Sequence, residues 1–179
     1  PARITVDAVE SEETITQHFY NIDSLEGNEE AKRLMAVQLL LCSTRPTSAV
    51  VFCNTKRETQ IVANFLVEQG FSSVALHGDL EQRERDQALV RFANKSVSIL
   101  VATDVAARGL DITALDAVIN YQVARETAVH THRIGRTGRA GMQGVASTLF
   151  CGKEQFKLER LEHAHHFIVD KQALPSINA

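Results

Sequence analysis

The sequence predicts an α/β fold, a mostly parallel sheet covered by helices on both faces. Three observations carry that expectation. Short apolar segments alternate with amphipathic stretches of roughly a dozen residues, the pattern of repeated βαβ units. Two of the apolar segments, SAVVFCNT (48–55) and SVSILVAT (96–103), run without a polar alternation, as in strands buried on both sides. Helix start and stop signals fall between the strands, where the alternation needs them.

Taken in order, residues 1–15 are polar and acidic and are expected to be an interdomain linker, with one domain over 16–179. TQHFYNI (16–22) reads as the first strand. EEAKRLMAVQLLLC (29–42) has helical periodicity. After the strand at 48–55, Thr55 and Glu58 form a capping box ahead of Ile61, Val62, Phe65 and Leu66, and Gly70 is placed to end that helix. SSVAL (72–76) is the next strand. Asp79 is placed to cap a helix running through Ala88, Leu89 and Phe92. The strand at 96–103 is followed by DAVINY (116–121) and VASTLF (145–150). KEQFKLERLEHAHHFI (153–168) closes the chain as an amphipathic helix.

The bulk numbers exclude several classes. The 179 residues are 44% apolar and 23% charged, an ordinary globular balance for one domain. There is no Trp, and only 6% of residues are aromatic, which argues against a base-stacking sheet. The net charge of −3 excludes binding nucleic acid through a basic field, so any such contact must be local. Cys42, Cys53 and Cys151 are odd in number and lack metal-ligand spacing; they are expected to be buried thiols of a reducing compartment. No run of about 18 apolar residues and no signal peptide occurs, so the expected location is cytoplasmic, with no membrane contact. The chain opens at Pro1 without Met and is expected to be a piece of a longer protein.

In parallel sheets ligands gather at the carboxyl ends of the strands. The segments to inspect are therefore CNTKR (53–57), HGDLEQRER (77–85), TDVAARGLD (103–111) and HRIGRTGR (132–139). The last places Arg133, Arg136 and Arg139 three apart. On a helix they would lie within roughly 120° of one face, at about 100° per residue, and such clustered cations expect an anion such as phosphate. Yet the chain has no G-x-x-x-x-G-K-[ST] loop. The glycines Gly135, Gly138 and Gly141 do not match the G-x-G-x-x-G fingerprint, and no acidic cluster suits Mg²⁺. Hydrolysis of a nucleotide by this chain alone is not expected. His163, His165 and His166 sit late in an amphipathic helix with no compact ligand spacing, and read as a solvated face rather than a metal site.

VFCNT (51–55), HGDLEQRER (77–85), VATDVAARGLD (101–111) and HRIGRTGR (132–139), in this order and spacing, resemble the second RecA-like domain of DEAD-box ATP-dependent RNA helicases. The resemblance runs from about residue 15 to residue 170. HGDLEQRERDQALVRFAN (77–94) resembles a bacterial, ribosomal-RNA-dependent subfamily. The resemblance implies that Arg136 and Arg139 are arginine fingers reaching the γ-phosphate of ATP on a neighbouring domain. It implies that His132 and Arg133 contact that domain, and that Arg108 lines the cleft between the two. Asp111, with Gly109, would lie at the nucleotide's ribose. Thr103 would meet an RNA phosphate, and Gln82 and Arg85 would grip sugar-phosphate near a helix N-terminus, with Gly78 allowing close approach. Thr55 is either an RNA contact or only the helix cap, with Lys56 and Arg57 as further candidates. Asp104 is either functional or an N-cap, and Gln82 could instead complete a capping box with Asp79.

The implied activity is the C-terminal half of an RNA helicase, inactive without the N-terminal RecA-like domain that holds ATP and Mg²⁺. The implied partners are RNA and that N-terminal domain. In the subfamily, the RNA is ribosomal, the role is large-subunit assembly, and specificity lies in a further C-terminal RNA-binding domain. Two other classes would use the same residues differently: a DNA helicase domain of the same superfamily, and a non-catalytic RNA-binding adaptor. RNA- against DNA-stimulated ATPase separates the first, and tolerance of losing Arg136 and Arg139 the second.

Overall fold

The computed structural model describes residues 15–108, 115–137, 144–165 and 171–175. Among them lies one parallel sheet of seven strands in the order β3-β4-β2-β5-β6-β1-β7. The strands are β1 (Ile15–Asn21), β2 (Ala49–Cys53), β3 (Ser73–Leu76), β4 (Ile99–Thr103), β5 (Ala117–Asn120), β6 (Gly144–Phe150) and the two-residue β7 (Lys171–Gln172). The helices are α1 (Glu29–Thr44), α2 (Lys56–Glu68), α3 (Gln82–Ala93), the single turn α4 (Asp104–Ala107), α5 (Thr127–Ile134) and α6 (Gln155–His165), the last entered through a 3₁₀ turn at Gly152–Glu154. The α/β expectation therefore holds. β1 already begins at Ile15, so the rest of the expected linker, residues 1–14, lies outside the described residues. The sequence offers a cap for a helix at α4 without its range, and misses β7. α6 is described from Gln155 to His165, and residues 166–168 of the expected closing helix lie outside the described residues.

The continuous apolar strands behave as the pattern demands. Every residue of β2 and β4 is buried, with Val51 paired to Val101 on one side and Ile119 on the other. Their side chains alternate between two cores. Val51, Cys53 and Val101 join Val37, Leu41, Val62 and Leu66 beneath α1 and α2. Val50, Phe52 and Leu100 join Ala88, Phe92 and Ala106 beneath α3 and α4. Farther along, Phe19 and Phe150 pack with Leu158 and Leu161 of α6. Truncating a fully buried leucine such as Leu66 to alanine costs about 2–5 kcal/mol.

The caps explain where the helices begin and stop. Thr55 caps α2 as expected, its hydroxyl oxygen accepting from the Glu58 amide at 3.2 Å. Gly70 follows the end of α2 at φ +91°, a left-handed conformation that disfavours side chains. Two cap expectations are corrected. The N-cap of α3 is Glu81, not Asp79, and the reciprocal Glu81–Glu84 arrangement takes the place of an Asp79–Gln82 box. Asp79 instead pairs with Lys56 at 2.9 Å; this hydrogen bond and the ammonium charge hold its carboxyl below its ordinary value. The N-cap of α4 is Thr103, not Asp104, the Thr103 hydroxyl oxygen accepting from the Ala106 amide at 3.3 Å. Among the described residues no helix is long and apolar enough to cross a membrane.

Candidate functional site at the carboxyl ends of the central strands

The topology opens a crevice at one place. β2 leads through α2 to β3, on one side of the sheet and toward one edge. Its neighbour β5 leads through α5 to β6, on the other side and toward the other edge. Adjacent strands whose connections diverge leave a gap at their carboxyl ends, where this class of sheet takes ligands.

A side chain of the domain fills that gap. Arg133, in the last turn of α5, is 1% exposed. Its guanidinium donates to both carboxylate oxygens of Asp104 at 2.7 and 2.8 Å, to the Asn54 side-chain oxygen at 2.7 Å and to the Gln122 carbonyl at 3.1 Å. It also lies 5.5 Å from the centre of the Phe52 ring. One cation thus ties together the ends of β2, β4 and β5. The network extends outward: Gln122 accepts from the Asn54 amide at 2.9 Å and donates to Glu58, whose carboxylate also accepts from the Thr55 hydroxyl at 2.7 Å. The expected interdomain contact for Arg133 is corrected here, because the guanidinium is enclosed and each of its nitrogens donates within the domain.

Arg133 and Arg136 do not share a helix. α5 stops at Ile134, and the chain tightens through Gly135, with the Arg136 amide donating to the Arg133 carbonyl at 3.3 Å and the Thr137 amide to the Ile134 carbonyl at 3.2 Å. A Cβ at Gly135 would stand 3.2 Å from the Thr131 carbonyl oxygen, which accounts for glycine in so tight a turn. Thr137 anchors the far side, its hydroxyl donating to the Leu115 carbonyl at 2.6 Å. Arg136 is half-buried. With Arg108 and His132, both exposed, it lines a shallow cleft of 50 Å³ floored by Phe52 and Asp104. Arg139, Gly109 and Asp111 lie outside the described residues, as do Gly138 and Gly141.

The second group of candidates stands on α3 and the loops beside it. Arg85 is half-buried and donates to the Ala106 carbonyl of α4 at 2.8 Å. Gln82 is exposed and donates along its own helix to Asp86 at 2.9 Å. Thr103 is buried as the cap of α4. A Cβ at Gly78 would meet nothing within 4 Å, so no steric demand inside the domain explains that glycine. Arg57 is exposed, and Lys56 is held by Asp79.

Sequence reasoning missed a second buried cation. Arg33, 3% exposed, reaches from α1 to donate to the Tyr121 carbonyl at 2.5 Å, the Leu149 carbonyl at 3.4 Å and the Glu154 carboxylate. Glu154 in turn accepts from the Val123 amide at 3.2 Å and the Cys151 amide at 3.1 Å. The signal was present: Arg33 stands in the same helical stripe as Ala36, Val37, Leu40 and Leu41. The cysteine expectation also needs correction at one position. Cys53 and Cys151 are buried, and burial pushes both thiols up, but Cys42 is exposed. His163 is exposed, the side chain of His165 and all of His166 lie outside the described residues, and no group of three metal-binding side chains occurs among the described residues.

A parallel sheet with polar segments at the ends of β2, β3, β4 and β5, and a turn after α5 that carries Arg136, is the frame of a RecA-like helicase domain. Residues 31–141 match the family model for the helicase conserved C-terminal domain, and the chain belongs to that family, on its DEAD-box RNA helicase branch. It is 50% identical over 155 residues to ATP-dependent RNA helicase DbpA of Escherichia coli K12, an alignment covering 87% of this chain and 32% of that protein. It is 40% identical over 164 residues to DEAD-box ATP-dependent RNA helicase RhpA of Helicobacter pylori 26695, covering 92% and 32%. The chain therefore spans about a third of the length of these relatives. Among solved structures, a DEAD-box protein from Methanococcus jannaschii superposes with a TM-score of 0.81 at 34% identity, over 96% of this chain and 48% of the other. Dbp5 of Saccharomyces cerevisiae bound to RNA and ADP BeF3 superposes with a TM-score of 0.80 at 27% identity, over 92% and 44%.

Proposed function

We propose that this domain is the second half of a shared ATPase site in an RNA helicase. Arg136 and Arg139 reach the γ-phosphate of ATP, which the N-terminal RecA-like domain of the longer protein holds together with Mg²⁺. His132 and Arg108 meet that domain across the shallow cleft, and Asp111 and Gly109 lie at the ribose. Gln82, Arg85, Thr103, Gly78 and Thr55 hold the backbone of one RNA strand. Mg²⁺ supplies charge neutralisation on the phosphates; this chain supplies the arginines. A finger of this kind contributes roughly 10³–10⁵ in rate, about 4–7 kcal/mol of transition-state stabilisation. Closure of the two domains on a bent strand separates short duplexes. Backbone contacts of this kind carry no sequence information, so the proposed RNA, ribosomal RNA during large-subunit assembly in the cytoplasm, is selected elsewhere in the longer protein.

One observation carries this reading. The crevice where a parallel sheet would take its ligand is closed by Arg133, and the cleft beside it holds only 50 Å³. A nucleotide lies outside such a domain, with Arg136 at the rim. The test is Arg136→Ala in the two-domain protein. RNA-stimulated ATPase should disappear while RNA affinity without nucleotide changes little, and normal turnover would sink the finger role. The chain alone should show no measurable ATPase; robust hydrolysis by it would overturn the half-site.

A further inference from the structure

Two sides of the site meet at a single turn of helix. α4 receives Arg85 of α3 at the Ala106 carbonyl, 2.8 Å away. Two residues earlier, Asp104 takes both forks of Arg133 from α5. The Arg133 carbonyl accepts from the Arg136 amide. The route from α3 to Arg136 is therefore one guanidinium, one turn of helix, one ion pair and one backbone hydrogen bond. A branch joins the loop after β2, because Arg133 also holds Asn54, the neighbour of Thr55.

Stability does not account for this arrangement. A buried ion pair is a poor stabiliser when compared with apolar residues of the same volume. What it supplies is geometry: a two-pronged guanidinium–carboxylate contact fixes both the separation and the plane of its partners. Here it fixes α4 against α5. Any shift of α3 that drags Ala106 with it must also move Asp104, then Arg133, then the turn that carries Arg136.

We propose that Asp104 and Arg133 are positioning residues that couple RNA held on α3 to the aim of Arg136. The inference rests on the reading that Arg85 and Gln82 hold RNA and that Arg136 reaches phosphate. Asp104 and Arg133 touch neither ligand in this scheme. They decide whether RNA binding is felt at the ATPase site.

The test uses the full-length protein with Asp104→Asn, Arg133→Lys and the charge-free double variant Asp104→Asn/Arg133→Gln. Thermal melts give the folded fraction, anisotropy with a labelled single-stranded RNA gives affinity without nucleotide, and steady-state ATPase is expressed per folded molecule. In both single variants kcat at saturating RNA should fall at least about tenfold, about 1.4 kcal/mol of barrier. Nucleotide-free RNA affinity and the KM for ATP should stay within about twofold. The double variant separates geometry from mere charge compensation. It should regain melting temperature over the single variants and still lack RNA-stimulated turnover. Wild-type kcat per folded molecule in Asp104→Asn or in the double variant overturns the proposal, and if the double variant melts early the single variant decides. Arg136→Ala is run in parallel. Should it keep RNA-stimulated turnover, the finger reading fails; should it be inactive while Asp104→Asn turns over normally, only the coupling fails.

Discussion

Arg33→Met removes the cation that joins α1 to the ends of β5 and β6. Methionine matches the length and fills the space but donates nothing. Three groups lose the guanidinium: the carbonyls of Tyr121 and Leu149 and the Glu154 carboxylate, which keeps only its two amide donors. The contact with the Tyr121 ring, 5.8 Å from the guanidinium, goes too. Removing one member of a buried pair costs about 3–5 kcal/mol. In a chain of this size each kcal/mol moves Tm by about 2–4 °C, so the expected loss is about 6–20 °C by circular dichroism melting at neutral pH. The double variant Arg33→Met/Glu154→Leu should not recover. The Val123 and Cys151 amides, which donate to Glu154, would be buried without an acceptor at about 1–3 kcal/mol each. A single-variant loss below about 3 °C, or a double variant that melts like wild type, would refute the reasoning.

Three further outcomes follow from the same structure. Thr55→Ala should destabilise the domain by about 1 kcal/mol through loss of the α2 cap, read as a shift of the urea midpoint; no shift would mean the cap is satisfied another way. The Asp116 carboxylate accepts from the Thr47 hydroxyl at 2.6 Å and the Thr47 amide at 2.8 Å, and the hydroxyl bond above all holds its pKa below the ordinary 3.8. Because the folded value is the lower one, this stabilisation is complete above pH 3.8 and is lost as pH falls through the folded value. Asp116→Asn should therefore flatten the acid limb of Tm against pH, and an unchanged limb counts against it. Finally, a thiol reagent should modify Cys42 quickly in the native protein and reach Cys53 and Cys151 only on unfolding; a fast phase that survives Cys42→Ser would contradict the burial.

The strands were legible because burial on both faces leaves an unmistakable signature, as in Val50, Val51, Phe52 and Cys53. α2 was legible through the Thr55 cap and Gly70, although Glu58 accepts from the Thr55 hydroxyl and does not complete the expected box. The caps of α3 and α4 were not: Glu81 caps α3 although cap preference points to Asp79, and Thr103 and Asp104 are both ordinary cap residues. The choice between them depends on where Lys56 and Arg133 arrive from distant parts of the chain. For the same reason sequence grouped Arg133 with Arg136 and Arg139. Spacing along a chain says nothing of which guanidinium turns inward; that is decided by Asp104, Asn54 and Gln122, which come from three separate segments. Arg33 was the reverse case, a visible break in an apolar stripe whose partner Glu154 lies far along the chain.

The two buried arginines give a physical reason why, under the proposed function, a domain of net negative charge can meet a polyanion. Arg33 and Arg133 both lie at the carboxyl edge of the sheet, each bridging strand ends that the backbone ladder alone leaves to loops. Both are fully enclosed, so neither adds to the outer field. What they add is rigidity at the edge where the ligand-facing loops begin. Loops that start from a fixed edge can present a few cations in fixed places, and a few placed cations discriminate a bent strand or a transferring phosphate from bulk polyanion better than a diffuse basic surface does. Under the proposed function, the net charge of −3 is compatible with RNA and ATP as partners, because the two proposed cations are placed by local geometry: Arg85 at the Ala106 carbonyl, and the Arg136 amide at the Arg133 carbonyl.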